Sequence, residues 1–359
     1  MELGSSALET MAISPNFWVG KRVWITGCTG FKGSWLSLWL TQLGAEVFGY
    51  ALAPDTTPAL WEVLDLAQTV NWVEGDVRDV AAVARALQKA QPDIVFHLAA
   101  QPLVRRSYAE PHLTFETNIM GTVSVLEACR QMPCVKAVVV VTTDKVYEDQ
   151  PDHHYTETDP LGGHDPYSAS KAAAEVVCAS YGHSFFKTGS LALATARAGN
   201  VIGGGDWAED RLIPDAIRAM QSGTALTIRY PQAIRPWQHV FCPLSGYLML
   251  AEALFTQGQM WAGAWNFGPD AGDEVSVQRV LNQVQTLTSV LQWRIDETAV
   301  PHESPQLRLD WTKAKTRLGW EPAWSLKTAL SATMDWYEAH AAGQNMRDFS
   351  VTQLEAFNP

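Results

Sequence analysis

Two short stretches of this 359-residue chain carry residue types whose spacing could do chemistry. In the first, the apolar run Ala137–Val141 runs into Thr142-Thr143-Asp144-Lys145, so a buried strand ends in hydroxyls, an acid and an amine. In the second, "DPYSASK" (165–171), Asp165 can cap a helix whose first position is Pro166. Tyr167 and Lys171 then share one face, one turn apart. A free phenol has a pKa of about 10 and is a poor base at neutral pH. A cation one turn away stabilises the phenolate and tunes it for proton abstraction. A loop could carry Asp144 and Lys145 as a solvated pair, so their place at the end of a buried strand suggests that position matters. The plainer alternative is a strand-end ion pair. On opposite faces of an extended strand the two would meet poorly, and exposed they would contribute little.

A third stretch, "TGCTGFKG" (26–33), spaces Gly27, Gly30 and Gly33 as G-x-x-G-x-x-G between a strand pattern and a helix pattern. Glycines there let the backbone approach a pyrophosphate, and the helix start offers it free N–H groups. The alternative is a tight turn without a ligand. The next strand ends in Tyr50-Ala51-Leu52-Ala53, with neither an acid for a ribose nor an arginine for a 2′-phosphate, so NAD over NADP is a default.

The elements that must hold these groups follow from the apolar pattern. "KRVWIT", "EVFGY", "TVNWVEGD", "DIVFHLAA" and "AVVVVTT" read as strands separated by helices, among them an amphipathic "GSWLSLWLTQLG" closed by Gly44. Near-continuous apolar strands with helical connections predict an α/β fold, a Rossmann-type doubly wound parallel sheet covered on both faces. After about Asn200 the pattern turns to Gly, Pro and Trp punctuation, which predicts a smaller mixed α/β C-terminal substrate lobe. Residues 1–16 read as a disordered leader, with Met11 as an alternative start. Residues 17–199 read as the nucleotide-binding domain with a return segment near 232–265, and 200–231 with 266–359 as the second lobe. The 15 tryptophans are expected mainly in the core and lobe interface.

The net charge of −12 argues against nucleic acid as a partner, though a local arginine cluster can still bind a phosphorylated small molecule. No apolar stretch is long enough to span a bilayer. The five cysteines lack metal-ligand spacing, and their odd number argues against a disulfide framework, so reduced thiols in the cytoplasm are expected.

Taken together, Gly27, Gly30 and Gly33, "HLAA" (97–100), Asn118, Thr143, Tyr167 and Lys171 resemble the extended short-chain dehydrogenases/reductases, over essentially the whole chain from about Phe17. The resemblance implies that Thr143 bonds the reacting sugar oxygen, that Tyr167 is the base starting oxidation, and that Lys171 also holds the nicotinamide ribose. It implies NAD against Gly27, Thr29, Gly30, Phe31, Lys32, Gly33, Val77, Leu98, Ala99, Ala100 and Thr117. Asp76 would lie near the adenine, or simply be a solvated acid after a strand.

Among the sugar-nucleotide 4,6-dehydratases of this family, an acid and a base follow the catalytic threonine, usually Asp-Glu. Asp144-Lys145 stands there in this chain, and the runs at 27–40, 142–148, 197–207, 210–215 and 234–240 are similar to that branch. The implied chemistry is an internal redox cycle. Tyr167 takes the C4 hydroxyl proton while hydride passes from C4 to NAD. The new ketone acidifies the C5 proton for Lys145, protonated Asp144 donates to the departing C6 hydroxyl, and hydride returns to C6. A lysine in this role needs its ammonium destabilised by burial beside another cation such as Lys171. Tyr147 is an alternative relay or positioning group.

By motif, Asn200, Arg211, Arg235 and Arg308 correspond to positions near the nucleotide phosphates, and Leu212 opens a helix beside them. His239 is carried with this set, although packing is the commoner fate of such a histidine. Trp237 either stacks on the base or fills the core. Arg105 and Arg106 either reach the substrate or face water. The family also implies a homodimer, through helices starting near Asn118 and Tyr167 that form a four-helix bundle. Rival readings are a 4-epimerase, which needs no acid and base after Thr143, and an NAD(H)-sensing regulator, which would not need Tyr167 and Lys171 intact.

Overall fold

In the computed structural model, residues 13–296 and 306–357 are described. The first half runs α1 (Pro15–Trp18), β1 (Arg22–Thr26), α2 (Phe31–Gln42), β2 (Glu46–Ala51), α3 (Leu60–Val63), β3 (Asn71–Glu74), α4 (Val80–Ala90) and β4 (Ile94–His97). Then come α5 (Val104–Ala109), α6 (Pro111–Phe115), α7 (Gly121–Arg130), β5 (Ala137–Val141), α8 (Pro166–Tyr181) and β6 (Ala192–Ala198). The second half has β7 (Val201–Ile202), α9 (Leu212–Ser222), β8 (Leu226–Ile228), β9 (Ile234–Pro236), β10 (Gln238–His239), α10 (Phe241–Gln257) and β11 (Gly263–Phe267). It closes with β12 (Glu274–Ser276), α11 (Val277–Leu287), β13 (Trp293–Ile295), α12 (Leu326–Ala341) and α13 (Met346–Ala356).

Seven parallel strands form one sheet in the order β11-β6-β5-β4-β1-β2-β3. Alternate residues feed the two faces: Val23, Ile25, Val139 and Val141 join one core, while Trp24, Val138 and Val140 join the other. Double burial explains why these strands read as unbroken apolar runs. The order reverses between β1 and β4, so their C-terminal ends open the crevice where ligands of such sheets bind.

The chain returns to the sheet through α10 and β11, which ends at Phe267. The remaining strands make two-stranded pairs, β10 with β7, β12 with β9 and β13 with β8. Together with α9 and α11–α13 they form the smaller lobe, and the core on one face of the sheet continues into it through Trp320, Leu330 and Trp336. Of the expected leader, residues 1–12 lie outside the described residues, while Pro15 already opens α1 and Trp18 is fully buried.

One expectation fails here. α2 is not amphipathic: every residue from Gly33 to Leu40 is buried, because the helix lies between the sheet and the C-terminal helices. Gly44 does close it, at φ +80°.

Candidate active site

The crevice at the switch point is a cavity of about 960 Å³. Its floor is the glycine loop after β1. Gly27 has φ +70°, and a Cβ there would stand 2.7 Å from the Ala99 nitrogen. A Cβ on Gly33 would fall 2.1 Å from the Gly27 carbonyl oxygen. Both positions therefore demand glycine. Gly30 meets nothing nearer than 3.5 Å, so its bareness serves whatever approaches the loop. Gly30 caps α2 without a side chain, leaving the N–H groups of Phe31, Lys32 and Gly33 without a cap at the positive end of the helix. This cradle fits a dinucleotide pyrophosphate.

The loop is tied down on two sides. The Thr29 hydroxyl donates to the Leu52 carbonyl (2.9 Å). Thr26 Oγ1 accepts the N–H groups of Leu98 and Ala99, both at 3.1 Å, and pairs with His97 Nδ1 at 2.7 Å. Burial pushes the His97 imidazole down to about 3. It is neutral, and its Nε2 meets the Thr122 hydroxyl at 3.1 Å. That hydroxyl donates to the Asn118 carbonyl, so Nε2 carries the proton and Nδ1 accepts from Thr26. Asn118 lies in a π-helical stretch, Glu116–Met120, and its side chain bonds Gln101 and Ser170.

α8 delivers the phenol and the amine. Asp165 caps it by accepting the Ser168 N–H at 2.9 Å, with Pro166 first in the helix. Lys171 is buried and donates to the Val141 carbonyl at 3.0 Å. Burial pulls its ammonium down to about 8, against the pull of Cys178 and Glu175. Burial pushes the Tyr167 phenol up to about 12, while a hydrogen bond with Thr143 and the Arg211 charge act the other way.

β5 stops at Val141, and Asp144–Val146 form a 3₁₀ turn whose start is capped by Thr143. Asp144 and Lys145 therefore do not alternate across an extended strand as expected. Asp144 is buried, accepts the Thr143 hydroxyl at 3.0 Å through Oδ1, and turns Oδ2 to a spot with no partner among the described residues. Lys145 is half-buried at the cavity wall.

Thr143, Asp144, Lys145, Tyr167 and Lys171 all line this one cavity. So do Gly27, Thr29, Gly30, Phe31, Lys32, Gly33, Asp76, Val77, Leu98, Ala99, Ala100 and Thr117, and, from the smaller lobe, Asn200, Arg211, Leu212 and Arg235. Asp76 is paired with Arg78 at 2.6 Å, and that hydrogen bond holds its carboxyl below the usual range.

The family-model comparison matches residues 24–333 to GDP-mannose 4,6 dehydratase. The chain belongs to the GDP-mannose 4,6-dehydratase family. It is 47% identical to a CDP-glucose 4,6-dehydratase of Salmonella typhimurium, across 96% of this chain and 98% of that enzyme. It is 30% identical to a dTDP-glucose 4,6-dehydratase of Xanthomonas campestris pv. campestris, across 87% and 92%. Among solved structures, MoeE5 in complex with UDP-glucuronic acid and NAD superposes with a TM-score of 0.76 at 26% identity, covering 89% of this chain and 99% of MoeE5.

Two residues expected in this family site lie off the cavity. His239 is wholly buried between Phe241 and Trp324, with ring centroids 4.4 and 4.8 Å away, and burial pushes its imidazole down to about 3. Pairing of β10 with β7 fixes its strand at the junction with the C-terminal layer. Arg308 sits between Leu307 and Leu309, both buried in a small core, so alternation turns it the other way, 3.7 Å from Glu274. Trp237 is buried and donates to the Val275 carbonyl at 3.0 Å, yet one surface of it reaches the cavity.

Lys32, expected against NAD, lies in the first turn of α2. Burial pulls its ammonium down to about 7, with Arg211 adding to the effect and Asp144 opposing it. Sequence reasoning passed over Arg229 and Asp210: Asp210 pairs with Arg105 at the cavity and stands 3.7 Å from Arg229. An arginine directly after a short strand was the signal available for Arg229.

Proposed function

We propose that this chain is an NAD-dependent CDP-glucose 4,6-dehydratase, a hydro-lyase acting on a nucleotide sugar. The observation that carries the reading is one cavity in which an acid-amine turn faces a Tyr-Lys helix pair beside a dinucleotide cradle. The close likeness to the Salmonella enzyme supports the nucleotide, and the MoeE5 complex supports the cofactor.

Thr143 bonds the C4 oxygen and Tyr167 takes its proton, with Lys171 and Arg211 supplying positive charge beside the phenolate. The glycine loop and the start of α2 would hold NAD, which would supply a reversible store for the hydride that C4 loses and C6 gains. Lys145 removes the C5 proton made acidic by the C4 ketone. Asp144 donates its proton to the C6 hydroxyl, which leaves as water, and a proton goes back to C5. Asn200, Arg211 and Arg235 hold the diphosphate, arginine forks being suited to it. A 4-epimerase would need neither Asp144 nor Lys145.

The protein is a homodimer in this reading, supported by exposed Phe115 on α6, Met120 at the end of the π-helical stretch and Val176 on the neighbouring α8. Free cysteines suit the cytoplasm, and among the described residues no helix is long and apolar enough to cross a membrane.

The test mixes protein and NAD with CDP-glucose, dTDP-glucose or UDP-glucose and follows the sugar by mass spectrometry. The reading expects loss of one water, fastest from CDP-glucose, and expects Lys145→Gln to oxidise C4 but stall before elimination. Inversion at C4 without water loss would overturn it.

A further inference from the structure

Behind the cavity wall lies a charged network that the chemistry above does not use. β6 is buried along its whole length yet carries Arg197, with 3% side-chain exposure. Its Nε and Nη2 donate to Glu175 at 2.9 and 2.8 Å, and its Nη1 donates to the Tyr147 hydroxyl oxygen at 2.8 Å. Glu175 also accepts the hydroxyls of Thr142 (2.5 Å) and Thr195 (2.7 Å). The Tyr147 hydroxyl in turn donates to Asn266 Oδ1 at 2.6 Å. The Tyr147 ring stacks on Tyr155, with centroids 4.7 Å apart and planes within 6°.

The sequence positions give this network its meaning. Glu175 lies one helical turn after Lys171 on α8. Thr142 directly precedes Thr143, and Tyr147 directly follows the Asp144–Val146 turn. The turn is thus gripped on both flanks and tied to the helix that bears Tyr167. A buried ion pair gains little net stability, since desolvation offsets its attraction, so its presence here points to position.

We propose that Tyr147, Arg197 and Glu175 are positioning residues that lock the Thr143–Asp144–Lys145 turn against α8, so that the acid and amine meet C6 and C5 while Tyr167 meets C4. The catalytic consequence rests on the dehydratase reading; the lock itself does not. Tyr147 is accordingly no proton relay: it stands off the cavity and its hydroxyl is occupied on both sides.

Tyr147→Phe keeps the ring and its stacking but removes the hydroxyl. Thr142→Val removes the grip on the other flank, and Thr142→Ser restores it. Two readouts are taken on each folded variant. Amide hydrogen exchange across 143–147 is expected to accelerate in Tyr147→Phe and Thr142→Val, return to the parent rate in Thr142→Ser, and stay unchanged in α8. Unchanged exchange overturns the lock, whatever the substrate. Rapid-quench mass spectrometry with CDP-glucose is expected to show elimination slowed roughly tenfold to a hundredfold, the scale of a misplacement near 1 Å, and C4 oxidation slowed less, since of the turn only Thr143 serves that step. Equal slowing of both steps, or none, overturns the assignment to elimination. A parent that loosens in the variants yet releases no water refutes the dehydratase reading and leaves the lock standing.

Discussion

Replacing Glu175 by glutamine tests how the interior behind the site is held. The carboxylate accepts four hydrogen bonds, two from Arg197 and one each from Thr142 and Thr195. Its side chain is 4% exposed and that of Arg197 3%, so water cannot take over. A glutamine of the same shape keeps one acceptor oxygen and turns an NH₂ toward groups that are themselves donors. The guanidinium is left buried and under-paired, a loss of about 3–5 kcal/mol. Unfolding entropy of about 2 cal/mol/K per residue, over 359 residues, gives about 0.75 kcal/mol/K. Tm should therefore fall by about 4–7 °C. Differential scanning calorimetry at neutral pH reads it, with E175L/R197M as control, since replacing both charges by apolar groups of similar volume is often neutral. A fall under about 1 °C, the scale of an exposed pair, would refute the reasoning.

Glycine substitutions separate fold from ligand. Gly33→Ala drives a Cβ into the Gly27 carbonyl and should lower both Tm and NAD affinity, whereas Gly30→Ala fits the loop and should keep Tm while weakening NAD binding; calorimetric titration distinguishes them, and equal Tm losses would contradict the geometry. The buried amines predict a pH effect in cofactor-free protein. Lys32 and Lys171 fall from 10.5 to about 7 and about 8, so the unfolded chain binds more protons between roughly pH 7 and pH 10.5 and their penalty on stability fades as pH rises through that window. Lys32→Met should flatten that rise and stabilise the free protein below neutral pH, as measured by denaturant titration; an unchanged slope would contradict the shift.

The sheet was legible because doubly buried strands write unbroken apolar runs, and the glycine loop because two of its glycines answer to steric demands a sequence states openly. The cap and first residue of α8 were equally plain in Asp165-Pro166. Side-chain direction was harder. Asp144 and Lys145 read as strand residues because nothing local shows that β5 stops at Val141 and the chain tightens into a turn. His239 and Arg308 follow motif positions, yet strand pairing and alternation aim them into the interior and at Glu274. Arg197 did leave a trace, a charge inside a strand of small apolar residues, which must find a buried partner. Which partner it finds depends on α8 lying across the sheet, and no local pattern contains that.

The most direct measurement is the conversion of CDP-glucose in deuterated water with added NAD, followed by proton NMR and mass spectrometry. The account predicts one water lost, a methyl group at C6, a ketone at C4 and deuterium at C5. A sugar that keeps all its oxygens, or loses water without deuterium at C5, would contradict it.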